Sequence, residues 1–377
     1  MKAAYIHVPF CEHICYYCDF NKFLLKGQPV DEYIEMLLEE MRIKTAESPC
    51  EKLSTVFVGG GTPTALNERQ LEKLLAGIRT ILPYDGDGEF TFEANPGETS
   101  EEKLRLLHDY GVNRLSFGVQ SFNDRLLEKI GRTHRREDVH RTISHARKIG
   151  FSNISMDLMF ALPGQTLEDF RETLGEALSM GLPHYSSYSL IIEPKTIFYN
   201  LMRKGKLRLP SQDAEADMYS MLMDEMEKHG LKQYEISNFA KPGYESRHNL
   251  VYWNNEEYFG FGAGAHGYEK GVRLSNYGAL KKYIGMLRDG CLPVMEKHTE
   301  TKKEKMEEEM FLGLRKNEGV RFRHFREKFG ADMKEVFAGA IKEMTERGLL
   351  EEKGGFLRLT REGRFLGNEV FEAFLLS

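Results

Sequence analysis

The chain has 377 residues, 41% apolar and 29% charged, with 52 Lys and Arg against 58 Asp and Glu for a formal net charge of -6. That balance fits a folded protein with room for two or three domains, and it excludes a disordered chain, a general nucleic-acid surface and a polybasic membrane anchor. No run approaches the ~18 apolar residues of a membrane span, and the opening MKAAYIHVPFCEHIC interrupts any signal-peptide core with histidine, proline and cysteine. A cytoplasmic chain with no integral membrane segment is expected.

In chain order, short strand-like runs alternate with amphipathic helical segments. Strands are predicted at residues 3–8, 55–58, 89–93, 114–119, 154–160 and 186–192. Between the first two, Tyr33, Ile34, Leu37, Leu38 and Met41 recur at helical spacing over residues 31–45, and Ser100 is placed to cap a helix over 100–109. Alternation of this kind builds a parallel α/β sheet, a partial barrel or a doubly wound one, whose functional groups collect at the C-terminal strand ends. The motifs CEHICYYC, GGGTP, EANP, VQS and ALPGQ all fall at or just after such ends. After about residue 300 the reading is helix, helix, two strands over residues 349–360 around a Lys353-Gly354-Gly355 turn, and a final helix. That outline is a winged-helix-like α+β domain over residues 300–377, following a first unit over 1–290. From Thr301 onward, sixteen Lys and Arg face fifteen Asp and Glu. Without a basic face the domain reads as a structural or partner-docking appendage, not a DNA reader.

Of five cysteines, Cys11, Cys15 and Cys18 lie within eight residues, while Cys50 and Cys291 stand alone. Cys-x3-Cys-x2-Cys supplies three thiolates where a 4Fe-4S cube normally takes four, leaving one iron open. The competing reading is a zinc ion on the three cysteines with His7 or His13.

The string YIHVPFCEHICYYCDF resembles the signature of the radical S-adenosylmethionine (SAM) superfamily, in the branch of oxygen-independent coproporphyrinogen III oxidase and the heme chaperone HemW. The resemblance continues through GGGTPT, FEANP, LSFGVQSF, GRTH and MDLMFALPGQT and covers essentially the whole chain. It implies a six-stranded partial (β/α)6 radical SAM barrel, with a 4Fe-4S cluster on Cys11, Cys15 and Cys18 whose open iron is chelated by SAM. Reduction would then cleave SAM to methionine and a 5'-deoxyadenosyl radical. Carried over residue by residue, it places Tyr5 beside the cluster, Tyr17 against adenine, and Gly60, Gly61 and Thr62 around the methionyl end. Glu93 would accept from the ammonium or a hydroxyl, Gln120 and Asp157 would take the ribose, Arg132 would meet a carboxylate, and Ile191 would pack on adenine.

Two departures from the oxidase matter. Where it has a fourth cysteine, this chain has Phe20, and the chain enters its first strand at Ala3 without the oxidase's N-terminal extension. Both features match the HemW branch, as does RHNLVYW at Arg247–Trp253, the heme-associated His-Asn-x-x-Tyr-Trp motif, with His248 as the heme contact. The residues alone also allow His248 to be a satisfied core histidine. The expected function is a heme chaperone that binds a 4Fe-4S cluster, SAM and heme. It would pass heme to a respiratory hemoprotein, meeting the membrane only through a protein partner or a local patch. The alternative is a radical SAM enzyme such as an oxidase or methyltransferase.

Overall fold

The computed structural model describes residues 1–84 and 86–376. Six parallel strands, β1 Ala3–Val8, β2 Thr55–Gly60, β3 Glu89–Ala94, β4 Arg114–Gln120, β5 Asn153–Phe160 and β6 His184–Ser189, pair successively in chain order. Helices Val30–Glu47, Glu68–Ile81, Glu101–Asp109, Arg136–Ile149 and Leu167–Ser179 make the crossovers. Their starts are set locally: Ser100 accepts from Lys103 N, and Asn67 with Gln70 and Thr166 with Asp169 form reciprocal capping boxes.

Period-two alternation decides which face of each strand is buried under helices. Ile6 and Val8, Val56 and Val58, Phe90 and Phe92, Leu115 and Phe117, and Ile154 and Met156 pack outward against Leu37, Leu74, Leu104, Ile143 and Leu174 in one core. The alternate residues, among them Glu93, Arg114, Ser116, Gln120, Ser155, Asp157, His184 and Ser186, line an internal cavity. A barrel that only needed filling would use branched apolar side chains there. This polar interior is space for a ligand.

The sheet extends beyond the six strands. Tyr258–Phe261 pairs parallel with β1 and leads into the antiparallel run His266–Glu269, Val272–Asn276, Val294–Thr299; at the other edge Asn238–Ala240 and Lys232–Glu235 follow β6, making twelve strands. The barrel is therefore partial. Helix Arg247–Trp253 crosses the end where strands begin: Glu89 accepts from Arg247 N at 3.0 Å and His248 N at 3.1 Å. The sixth strand is shifted from the expected 186–192. Leu190 N donates to Phe160 O at 3.0 Å as a last rung, and Pro194 follows too closely for the ladder to continue.

Residues after 300 build a second core from Met310, Phe325, Phe337, Leu357 and Phe374. Its three-stranded sheet, Val320–Arg321, Phe356–Leu359, Leu350–Lys353, turns at Gly354 and Gly355, whose φ values of 62 and 85 need glycine. The expected two helices before this hairpin are four, Lys302–Gly313, Phe322–Phe329, Met333–Val336 and Ala338–Glu346, and the one after it is two, Arg361–Phe365 and Gly367–Glu372. The extra breaks fall at Gly330, whose φ of 65 is left-handed, and at Phe337 and Leu366, whose φ of -113 and -114 leave the helical region. Among the described residues no helix is long and apolar enough to cross a membrane.

Candidate functional site

The cysteine loop leaves the C-terminal end of β1 and is clamped at its base by the short strands Phe10–Cys11 and Phe23–Leu24. Tyr16 pins its middle, donating from N to Ile130 O at 3.0 Å and accepting from Phe198 N at 3.0 Å. Cys11, Cys15 and Cys18 are free thiols. Burial pushes the Cys11 thiol up to about 12 despite a hydrogen bond with Thr62, and burial raises Cys18 as well. Thiols held this way ionise only against a strongly positive partner, which iron supplies. His7 turns away, with Nε2 2.8 Å from Asn21 O and Nδ1 3.0 Å from the Tyr5 hydroxyl, whereas His13 faces the cavity. Among the described residues no three His, Cys, Asp or Glu converge closely enough for one metal ion.

Below the loop opens a cavity of about 320 Å³. Of the residues singled out from sequence, Cys11, Cys15, Cys18, Tyr17, Gly60, Gly61, Thr62, Glu93, Gln120, Arg132 and Asp157 all line it. The GGGTP turn is drawn under the cysteine loop by Gly61 N to Val8 O at 2.9 Å and Thr62 N to Phe10 O at 2.7 Å. Glycine is required there: a Cβ on Gly61 would lie 2.9 Å from Cys11 Sγ and 2.7 Å from Phe10 O, and one on Gly59 would lie 2.7 Å from Glu93 Oε2. Gln120 sits at a register shift with a φ of 67, a strained conformation for a non-glycine residue that turns its side chain into the cavity. Arg132 donates to Asn95 Oδ1 at 2.8 Å, and Asn95 in turn donates to Thr62 Oγ1 at 3.0 Å.

Glu93 and Asp157 face each other across this space. Burial first, then the Asp157 charge, lifts Glu93 to about 7 against a 3.1 Å hydrogen bond from Gly60 N. Burial lifts Asp157 to about 6, opposed by the Arg114 charge and the Ser116 hydroxyl. Two carboxylates held near neutrality favour a ligand with positive charge or hydroxyl groups.

Three expected site residues lie elsewhere. Tyr5 and His248 line a second cavity of about 230 Å³, along the inner walls of β1 and β2, which shares Phe20, Phe57, Gly60, Glu93 and Asn249 with the first. His248 is buried at the barrel's far end, Nδ1 2.8 Å from Thr55 Oγ1 and Nε2 2.8 Å from the Tyr252 hydroxyl. Trp253 packs its ring under the Arg315 guanidinium, 4.4 Å away. Ile191 stands two residues beyond β6, 65% exposed, outside both cavities. Cys50 follows the first helix and Cys291 the helix Leu280–Arg288, both away from the site. The sequence reading missed Arg114, Ser116, Ser155, His184, Ser186 and Asn249 on the cavity wall. Inward alternation along β4, β5 and β6 was the available signal for all but the last.

The sequence profile of the Radical SAM superfamily matches residues 5–177, and that of the HemN C-terminal domain matches residues 301–366. The chain is 55% identical over 376 residues to the heme chaperone HemW of Bacillus subtilis (strain 168), spanning 100% of this chain and 99% of that protein. It is 47% identical over 378 residues to the heme chaperone HemW of Lactococcus lactis subsp. lactis (strain IL1403), spanning 100% and 97%. Among solved structures, the coproporphyrinogen III oxidase HemN of Escherichia coli superposes with a TM-score of 0.87 at 24% identity, over 99% of this chain and 90% of that one, a likeness of fold.

Proposed function

The chain belongs to the HemW family of radical SAM proteins, and on that premise we propose that it is a heme chaperone that holds a 4Fe-4S cluster on Cys11, Cys15 and Cys18, takes SAM into the polar barrel and binds heme for delivery to respiratory hemoproteins. The observation that carries this reading is the convergence of eleven residues, from segments as far apart as Cys11 and Asp157, on one cavity under the cysteine loop. The cluster, when bound, supplies an open iron for the methionyl end of SAM and an electron for its sulfonium. Gly60, Gly61 and Thr62 let the backbone approach that end, Glu93 and Asp157 balance its positive charge, Tyr17 offers a ring face to adenine, and Arg132 holds Asn95 in place.

Phe20 separates the carrier from the oxidase. It stands 65% exposed on the rim of both cavities, at the position of the oxidase's fourth cysteine. The heme contact assigned to His248 requires Nε2 to leave Tyr252. The carrier works in the cytoplasm and meets its acceptor through a protein partner. A radical SAM enzyme is the second reading, favoured by the completeness of the SAM-facing set. Anaerobic reconstitution with iron and sulfide, followed by heme titration and by assay with SAM and coproporphyrinogen III, tests the choice: the carrier binds heme and leaves the porphyrinogen unchanged.

A further inference from the structure

Arg114 opens β4, and its side chain turns into the barrel on the wall of the main cavity. It is 2% exposed, and its Nε is buried without a hydrogen-bond partner. Among the described residues no carboxylate lies within ion-pair distance of it and no side chain or carbonyl accepts from it. A guanidinium removed from water is costly unless it is paired, and its planar fork matches a carboxylate. The Asn249 side chain on the same cavity also makes no hydrogen bond among the described residues, while Ser186 pairs in register with Asp157, nearer the mouth. Their neighbours are committed: Ser155 lies 2.8 Å from His184 Nδ1, His184 Nε2 lies 2.8 Å from the Tyr234 hydroxyl, and Ser116 donates to Asp157 at 3.2 Å. The unfilled donors at the inner end are therefore a fork and an amide, facing one cavity.

We propose that the inner end of the barrel, around Arg114 and Asn249, is a carboxylate-binding subsite distinct from the cysteine end. Glu93 and Asp157 border it toward the mouth and offset the Arg114 charge only at longer range. A strand rises about 3.3 Å per residue, which puts the Arg114 backbone roughly 20 Å from that of Gln120 at the mouth. The subsite takes a carboxylate on an arm that reaches inward, either a propionate of a tetrapyrrole or the acid end of an amino-acid-like ligand. The subsite itself stands on the geometry; assigning the propionate rests on the carrier reading.

The test measures dissociation constants on the reconstituted full chain for heme, heme dimethyl ester, SAM and decarboxylated SAM, in wild type and in Arg114→Met. The expected result is that Arg114→Met narrows one of the two preferences, acid over carboxylate-free partner, by ~10-fold or more, weakening the acid and leaving its partner within about twofold. A change confined to the heme pair assigns a propionate, and one confined to the SAM pair assigns the methionyl acid. Unchanged preferences, or equal loss for acid and partner, overturn the subsite and make Arg114 a structural counter-charge. If Arg114→Met does not fold, Asn249→Ala is expected to narrow the same preference about threefold, and no narrowing overturns it. A wild-type protein that binds no heme defeats the carrier reading alone, since the SAM pair still decides the subsite.

Discussion

The Tyr252 hydroxyl lies 2.8 Å from His248 Nε2, occupying the ring nitrogen that an iron would take. The other nitrogen is held 2.8 Å from Thr55 Oγ1, and burial, with the Arg114 charge behind it, pushes the imidazole down to about 3, so it is neutral and fully partnered. In this conformation His248 joins helix Arg247–Trp253 to the floor of the barrel.

His248→Ala is therefore expected to lower folding stability by about 2–4 kcal/mol through lost packing and two orphaned hydroxyl partners. Tyr252→Phe is expected to cost only about 1–2 kcal/mol while tightening heme binding, because it frees Nε2. Thermal unfolding and heme titration on both variants check this. Unaltered heme affinity in both places the heme contact away from His248.

Cys11→Ala, Cys15→Ala and Cys18→Ala are each expected to abolish cluster assembly, read as iron content and the broad iron-sulfur absorbance after reconstitution. Cys50→Ala and Cys291→Ala keep it, since neither thiol reaches the cavity. Loss in either of these two would identify a fourth internal ligand.

Gly61→Ala drives a Cβ to 2.7 Å from Phe10 O and 2.9 Å from Cys11 Sγ. It should reduce SAM affinity ~10-fold or more, measured by equilibrium dialysis, and impair cluster retention. Gly175→Ala, in helix Leu167–Ser179 with open space at its Cβ, should leave binding alone and stabilise the fold by about 0.5–1 kcal/mol.

Glu93 and Asp157 are raised by burial to about 7 and about 6 from ordinary carboxylate values of 4.5 and 3.8. Raised carboxylates favour the fold in their protonated state: their contribution is full below the unfolded values and is lost as pH rises through 6 to 7. A cationic ligand reverses the preference and expels the protons. SAM affinity is therefore expected to rise about tenfold between pH 6 and 8, with proton uptake by buffer detectable calorimetrically. Glu93→Gln should flatten most of that slope; a flat wild-type profile contradicts the assignment.

The barrel and most of the residues that line its cavity were legible because strand alternation and strand-end placement act within a few residues. Gly60, Glu93, Gln120 and Asp157 needed only to sit at the mouth of the right strands. What was not legible depends on contacts between distant segments. His248 finds its partners in Thr55 and Tyr252, so its motif says nothing about access. Arg114 reads in sequence as an ordinary cation at a strand start, and only the assembled barrel, with Asn249 from 135 residues later on the same cavity, leaves its Nε buried without a hydrogen-bond partner among the described residues. Ile191 falls outside because β6 ends before an apolar run that looks like strand but leads into Pro194.

The most direct test of the central claim is one anaerobic sample of the reconstituted full chain, assayed for a stoichiometric heme spectrum and for conversion of coproporphyrinogen III in the presence of SAM and reductant. Heme bound with about one equivalent per chain, the cluster intact and the porphyrinogen unconverted, is the result predicted for a heme-carrying member of the family. Protoporphyrinogen formation at turnover, with no heme taken up, would contradict it.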